Sequence, residues 1–336
     1  MMIHSKPTAR ILLSLALSLP TLADNTPPKI AGCTALDCPN DGWDSCTVAD
    51  ETYVGVGVSR IADTPTALGD ISLVKGVNIS SSPGDPRNGG GDGGSDHGAD
   101  ESRPYRSVYY LGTPENLDVS SLSGCAVVFN DPPTEQFDTP KVNRSSVNTD
   151  IQASTGTCPD VIEQSCIDAL TRQARGVDYQ SSSGNACSSL ERDLRDNAPK
   201  ECSDLTGAGD GLGNFTVVSL GGLSAISSSQ NSSSDCWPVL PKSDNLVLFA
   251  EDTVMGNYTN EGNLAEVYKI TPILTVFTSA NSSNDDPSAQ LTCLKVVTTQ
   301  NTEDAEGTGE DAAPLSTASM VGVSVATFVA VMFTLL

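Results

Sequence analysis

Histidine is nearly absent from this chain. Of 336 residues only His4 and His97 are histidine. His4 falls in an amino-terminal stretch that reads as a removable leader. His97 then stands alone, in a Gly/Asp-rich segment where nothing apolar would hold an imidazole in place. A Ser-His-Asp triad needs a fixed imidazole, so that class of hydrolase is not expected. Histidine-rich zinc and copper sites lack ligands for the same reason. The cysteines do not substitute, since no CxxC or Cys/His spacing occurs. An amino-terminal histidine brace is excluded as well, because the expected first mature residue is Asp24. No cofactor is expected.

Positive charge is also scarce. Lys and Arg number 18 against 42 Asp and Glu, a formal net charge of −24. Lys6 and Arg10 leave with the leader, and Glu310 and Asp311 leave with the carboxyl-terminal tail, so the charge is unchanged by processing. Such a surface repels nucleic acid and anionic headgroups and keeps the protein hydrated. Tryptophan occurs only as Trp43 and Trp237. Either could stack on a sugar, but Trp237, between Cys236 and Pro238, reads as packing.

Without histidine, the chemistry left is a carboxylate mechanism of the kind that hydrolyses glycosides. Asp41 and Asp44 beside Trp43, and Glu251 with Asp252, are adjacent acids. In so acidic a chain such pairs arise without function, and the solvated-surface reading is favoured. No catalytic residue is assigned. Gly89 to Asp100 superficially fits a calcium loop but lacks the alternating carboxylates and the final Glu. No metal ligand is assigned.

What the sequence does contain is a layout for export. His4, Lys6 and Arg10 precede the apolar run Ile11 to Leu19, Pro20 breaks it, and Thr21-Leu-Ala23 offers a cleavage site. Residues 1–23 therefore read as a signal peptide. At the other end, Met320 to Leu336 is an uncharged run of seventeen residues. That is short of the about 20 a spanning helix needs, and no basic flank follows it. A polar spacer, Glu310 to Ser319, and the small residues Gly307-Thr308-Gly309 precede it. Together these make a glycosylphosphatidylinositol (GPI) attachment signal, with Gly307 as the attachment residue and 310–336 removed.

Ten cysteines lie between these ends: Cys33, Cys38, Cys46, Cys125, Cys158, Cys166, Cys187, Cys202, Cys236 and Cys293. An even number in an exported chain implies disulfides. Six Asn-x-Ser/Thr sites, at Asn78, Asn143, Asn214, Asn231, Asn257 and Asn281, are candidate N-glycosylation positions.

The spacing predicts one secreted domain over 24–297. An irregular, disulfide-pinned lead runs to Asp50. Strands are expected at 53–59, 71–79, 107–111 and 125–129, with a flexible loop at 80–104. The period then changes. Thr157, with Pro159 and Asp160, opens a helix ending near Gly176, and a second helix runs from about Ala186 to Asn197. Together they form a helical insertion at 157–202. An antiparallel hairpin of these helices would nest Cys166–Cys187 inside Cys158–Cys202. Strands return at 214–220, 245–249, 265–270, 273–277 and 291–297, and an acidic stalk, 298–309, leads to the anchor. The predicted class is α+β, mainly β: an antiparallel β-sandwich with a disulfide-linked two-helix insertion.

The signal, the Gly307-Thr-Gly309 region with its tail, and Thr157-Cys-Pro with Cys166-Ile-Asp-Ala-Leu between β-rich halves carry a resemblance. The layout resembles the large group of uncharacterised GPI-anchored, cysteine-containing surface proteins of filamentous fungi. It implies a structural or adhesive role at the plasma membrane or in the wall, without catalysis. The partners expected are the membrane, through the lipid anchor, and wall polysaccharide or surface proteins. The alternative is a wall-glycan-processing enzyme using paired carboxylates, or a carbohydrate-binding module.

Overall fold

The computed structural model describes residues 30–32, 46–62, 64–80, 102–138, 151–179, 186–203, 205–206, 211–236, 245–278 and 287–298. The leader, the stalk, the tail with Gly307, most of the 80–104 loop, Cys33, Cys38, Asp41, Trp43, Asp44, His97, Asn143, Trp237 and Asn281 lie outside these residues.

The fold is mainly β and antiparallel. Strands β3 (Gly55–Arg60), β4 (Ser72–Ile79), β5 (Ser102–Gly112) and β8 (Leu246–Asn257) form one four-stranded sheet in the order β3-β4-β5-β8. Strands β6 (Gly124–Phe129), β7 (Phe215–Ser219), β9 (Thr271–Phe277) and β10 (Ser288–Leu294) form a second, ordered β10-β9-β6-β7. A hairpin of β1 (Cys46–Val48) and β2 (Glu51–Tyr53) is the third, small sheet.

Alternation along each strand sorts the side chains into layers. On β4 and β5, Leu73, Tyr109 and Leu111 point to the second sheet and join its Ile273 and Phe277 in one core. Val74, Val108 and Tyr110 point the other way and pack under Cys46, Val48 and Tyr53 of the hairpin. β4 is thus buried on both faces, which is why it reads as a continuous apolar run. Gly76 permits the stacking on the hairpin side: a Cβ there would lie 2.7 Å from the Tyr53 ring.

The far face of the second sheet carries the helices. Helix α1 (Gln164–Gly176) packs on β10 and β9, and α2 (Ala186–Asp196) packs on β7 and β6. Their buried stripes, Cys166, Ala169, Leu170 and Ala174 on α1 and Cys187, Leu190 and Leu194 on α2, turn toward that sheet. Each fully buried Leu contributes roughly 1.5–3 kcal/mol. The two helices also meet directly: Gln173 Nε2 donates to Asp193 Oδ2 at 2.8 Å and to the carbonyl of Asn197 at 3.1 Å.

This packing overturns the nested hairpin. The bonds are Cys125–Cys187, Cys158–Cys293 and Cys166–Cys202. The helices spend their apolar stripes on the sheet rather than on each other, so Cys187 reaches β6 and Cys158 reaches β10. Only Cys166–Cys202 stays within the insertion. Cys46 and Cys236 are disulfide-bonded as well.

Several segments also differ from expectation. The segment opened by Thr157 is a single 3-10 turn, Cys158–Asp160, and the helix proper starts at Gln164. The expected capping box does form, with the Thr157 amide donating to Asp160 Oδ2 at 2.7 Å. Ala265 to Ile270, expected as a strand, is not one: its first half, Ala265 to Val267, ends helix α4 (Asn260–Val267), and the rest links that helix to β9. The Thr259 hydroxyl caps α4 by accepting from the Gly262 amide at 3.0 Å. The lead contains a regular hairpin, whose turn places Ala49 (φ 53°) and Asp50 (φ 75°) in the left-handed region. The Ser234 hydroxyl holds that turn by accepting from the Ala49 amide at 2.9 Å. Finally, Ser102–Pro104 are not loop but the start of β5. A short helix, α3 (Ser228–Ser233), lies between β7 and β8.

The sandwich has one closed edge and one open edge. At the closed edge β3 meets the segment after β10 through an antiparallel bridge, Val56 to Val297. Gly57 allows that approach, since a Cβ there would lie 1.7 Å from the Lys295 carbonyl oxygen. At the other edge β7 of one sheet and β8 of the other run side by side without pairing.

Candidate functional site

A file of lysines crosses the middle of the sandwich. Lys75 on β4 is fully buried and points between the sheets. Its Nζ donates to the Lys269 carbonyl at 2.8 Å and to Thr271 Oγ1 at 3.0 Å. Burial, and then the neighbouring Lys269 charge, push its pKa well below the ordinary lysine value. Tyr109 lies beside it in register and reaches the same Thr271 hydroxyl at 3.3 Å. Burial pushes that phenol up to about 12. Lys295 is also fully buried and donates to the Ser154 carbonyl and hydroxyl, each at 2.8 Å, and to the Ile151 carbonyl. Burial pushes it down to about 7. Amines kept from water in a β-sandwich cost stability relative to apolar residues, and such costs concentrate at functional sites.

The file ends at the open edge in a cavity of about 520 Å³. The turn after β6 contributes Asn130 and Asp131, and β7 with its preceding residue contributes Phe215 and Asn214. From the other sheet come Asp252 and Val254 of β8, and α4 adds Ala265 and Glu266. Lys269 sits between the acids. Its Nζ is 3.7 Å from Asp252 Oδ2 and 3.9 Å from Glu266 Oε2, and its side chain is only 7% exposed. Asp131 is anchored by accepting from the Asn214 amide at 2.7 Å. The Phe215 ring is backed by the Arg195 guanidinium at 4.4 Å.

The adjacent acids Glu251 and Asp252 are split by the strand. Glu251 is on the outer face and pairs with Arg106 at 3.0 Å, while Asp252 turns inward to Lys269. The carboxylate that shares a neighbour with Asp252 is Glu266, which no sequence spacing singled out. It came within reach only because 260–267 is helical rather than extended. The lysines carried no sequence signal at all beyond their place in apolar strands, which could have marked Lys75 inside Ile71-Ser-Leu-Val-Lys-Gly-Val.

Carboxylates that cleave a glycoside flank the bond from both sides. Here the Lys269 ammonium occupies the space between Asp252 and Glu266. The arrangement therefore offers hydrogen-bonding groups to a bound molecule rather than a free acid pair. Among the described residues no group of three or more His, Cys, Asp or Glu could hold a metal ion. Nor, among them, is any helix long and apolar enough to cross a membrane.

Of the expected glycosylation positions, Asn214 and Asn257 are exposed and Asn78 and Asn231 are half-buried. Asn214 stands at the cavity mouth.

No protein-family model, no curated protein and no solved structure matches the chain.

Proposed function

We propose that this chain is a glycosylated surface protein, exported through the secretory pathway and held on the outer face of the plasma membrane or in the cell wall by a GPI anchor. Its role on this reading is structural or adhesive, and it is not an enzyme. One observation carries the proposal: all eight cysteines among the described residues are disulfide-bonded. Bonds of this kind persist in oxidising compartments and are rare in the cytosol. Two of them join the helix layer to the sheet, which suits a module that must hold its shape outside the cell. The placement of Asn214 and Asn257 on exposed backbone supports the glycosylated part of the reading. The anchor rests on the tail sequence and on the small residues at 307–309.

The test is release by a phosphatidylinositol-specific phospholipase, after checking for an acylated inositol that would resist it. The full chain, made in a eukaryotic secretory host, is expected to move from the detergent phase to the aqueous phase. Retention in the detergent phase, with peptides of Met320 to Leu336 recovered from the mature protein, would overturn the anchor.

A further inference from the structure

We propose that the cavity at the open edge, where the Lys269 ammonium lies between Asp252 and Glu266 below Asn214, binds a sugar ring that is neutral or carries an amine. The inference deepens the adhesive reading and rests on it only for its biological use. The volume, about 520 Å³, falls within the range of roughly 300–1,000 Å³ common for small-molecule sites.

Two observations identify the ligand class. The first is Lys269. Its side chain is 7% exposed, yet both carboxylates lie beyond hydrogen-bond distance, and among the described residues its ammonium makes no hydrogen bond. The ammonium lines the cavity, so ring or hydroxyl oxygens of a bound molecule can accept its N–H donors. The second is the balance of the lining. Asp131, Asp252 and Glu266 face a single cation, so acceptors are in excess and the net charge is negative. A molecule rich in O–H or N–H donors fits, and an acidic sugar or a phosphate does not. Val254 and Ala265 supply an apolar wall for the C–H face of the ring.

The sugar has two sources. It is either an external glycan or the first residues of a glycan on Asn214 itself, whose sequon places it at the rim. The purified full chain, with and without enzymatic removal of N-glycans, should be titrated by calorimetry with glucosamine, N-acetylglucosamine, glucose and glucuronate. At least one neutral or amino sugar is expected to bind in the millimolar range or tighter, and glucuronate at least tenfold more weakly. Binding by both forms assigns the site to external glycan. Binding only after deglycosylation assigns it to the Asn214 glycan. Asp252→Asn should weaken binding at least tenfold. Ala265→Trp, on the exposed face of α4, blocks the mouth without touching the core and should abolish it in a protein that melts like the wild type. Absence of binding in both forms, equal binding of glucuronate, or wild-type binding by Ala265→Trp would overturn the proposal. None of these outcomes depends on how the protein is anchored.

Discussion

Asp252 Oδ2 lies 3.7 Å from Lys269 Nζ inside the sandwich, while its chain neighbour Glu251 binds Arg106 on the outer face. One strand thus sends two adjacent carboxylates into different electrostatic surroundings. Lys269 is nearly enclosed, whereas Glu251 is 41% exposed. Breaking a buried ion pair costs roughly 3–5 kcal/mol, and an exposed pair is worth about 0–1 kcal/mol. Glu266 remains as a second partner for Lys269. Asp252→Asn should therefore cost about 2 kcal/mol and Glu251→Gln less than about 1 kcal/mol. Urea unfolding of the two variants checks this, and equal losses would contradict it.

The Cys158–Cys293 bond closes a sequence separation of 135, against 36 for Cys166–Cys202. Losing a native disulfide from a secreted domain costs about 2–5 kcal/mol, more for longer loops in the chain-entropy account. The double replacement Cys158→Ala with Cys293→Ala should therefore lower stability more than Cys166→Ala with Cys202→Ala. Thermal melts of the two proteins decide it. The reverse order would place the main constraint inside the helical insertion.

Alkaline conditions should stabilise the fold. Lys295 is pushed down to about 7, and Lys75 is lowered too. An unfolded chain holds these protons up to the ordinary lysine value near 10.4. Between pH 7 and about 10 the unfolded state therefore binds more protons than the folded one, and unfolding becomes less favourable as pH rises. Lys295 alone adds up to about 1.4 kcal/mol per pH unit in this window. Above about 10 the trend reverses, because buried Tyr53 and Tyr109 keep their protons in the fold. Denaturation midpoints at pH 7, 8 and 9 should climb, and Lys295→Met should flatten the climb. A level or falling series would contradict the neutral buried amines.

Two glycines separate close approach from idle space. A Cβ at Gly57 would strike the Lys295 carbonyl at 1.7 Å, whereas one at Gly176 meets nothing within 4 Å. Gly57→Ala should cost about 1–3 kcal/mol or more by forcing apart the closed edge. Gly176→Ala, at the last residue of α1, should gain up to about 1 kcal/mol. Chemical denaturation of the pair is the check, and tolerance of Gly57→Ala would contradict the closed edge.

Much of the architecture was legible because it follows from local periodicity. β4, β6 and β9 are apolar runs bounded by turn residues, and Leu190 with Leu194 marks a helical stripe. Ala265 to Ile270 was not legible. Its alternating pattern fits a strand, and the Thr259 cap that makes it helical lies six residues upstream. The Ala49-Asp50 turn carries neither Asn nor Gly at its first position, so its hairpin gave no turn signal. Disulfide pairing was hidden for a different reason. It depends on which surface each helix covers, and an amphipathic stripe says that a face is buried without saying against what. The cavity was hidden likewise, since Asp131, Asp252, Glu266 and Lys269 meet only through the sheet order.

Peptide mapping of the unreduced protein, isolated from a secretory host, tests the central claim most directly. The account is of an oxidised sandwich with its helices bonded to the sheet. It predicts linked peptides for Cys125–Cys187, Cys158–Cys293 and Cys166–Cys202, with no free thiol at Cys46 or Cys236. Recovery of Cys166 joined to Cys187, or of these cysteines as free thiols, would contradict it.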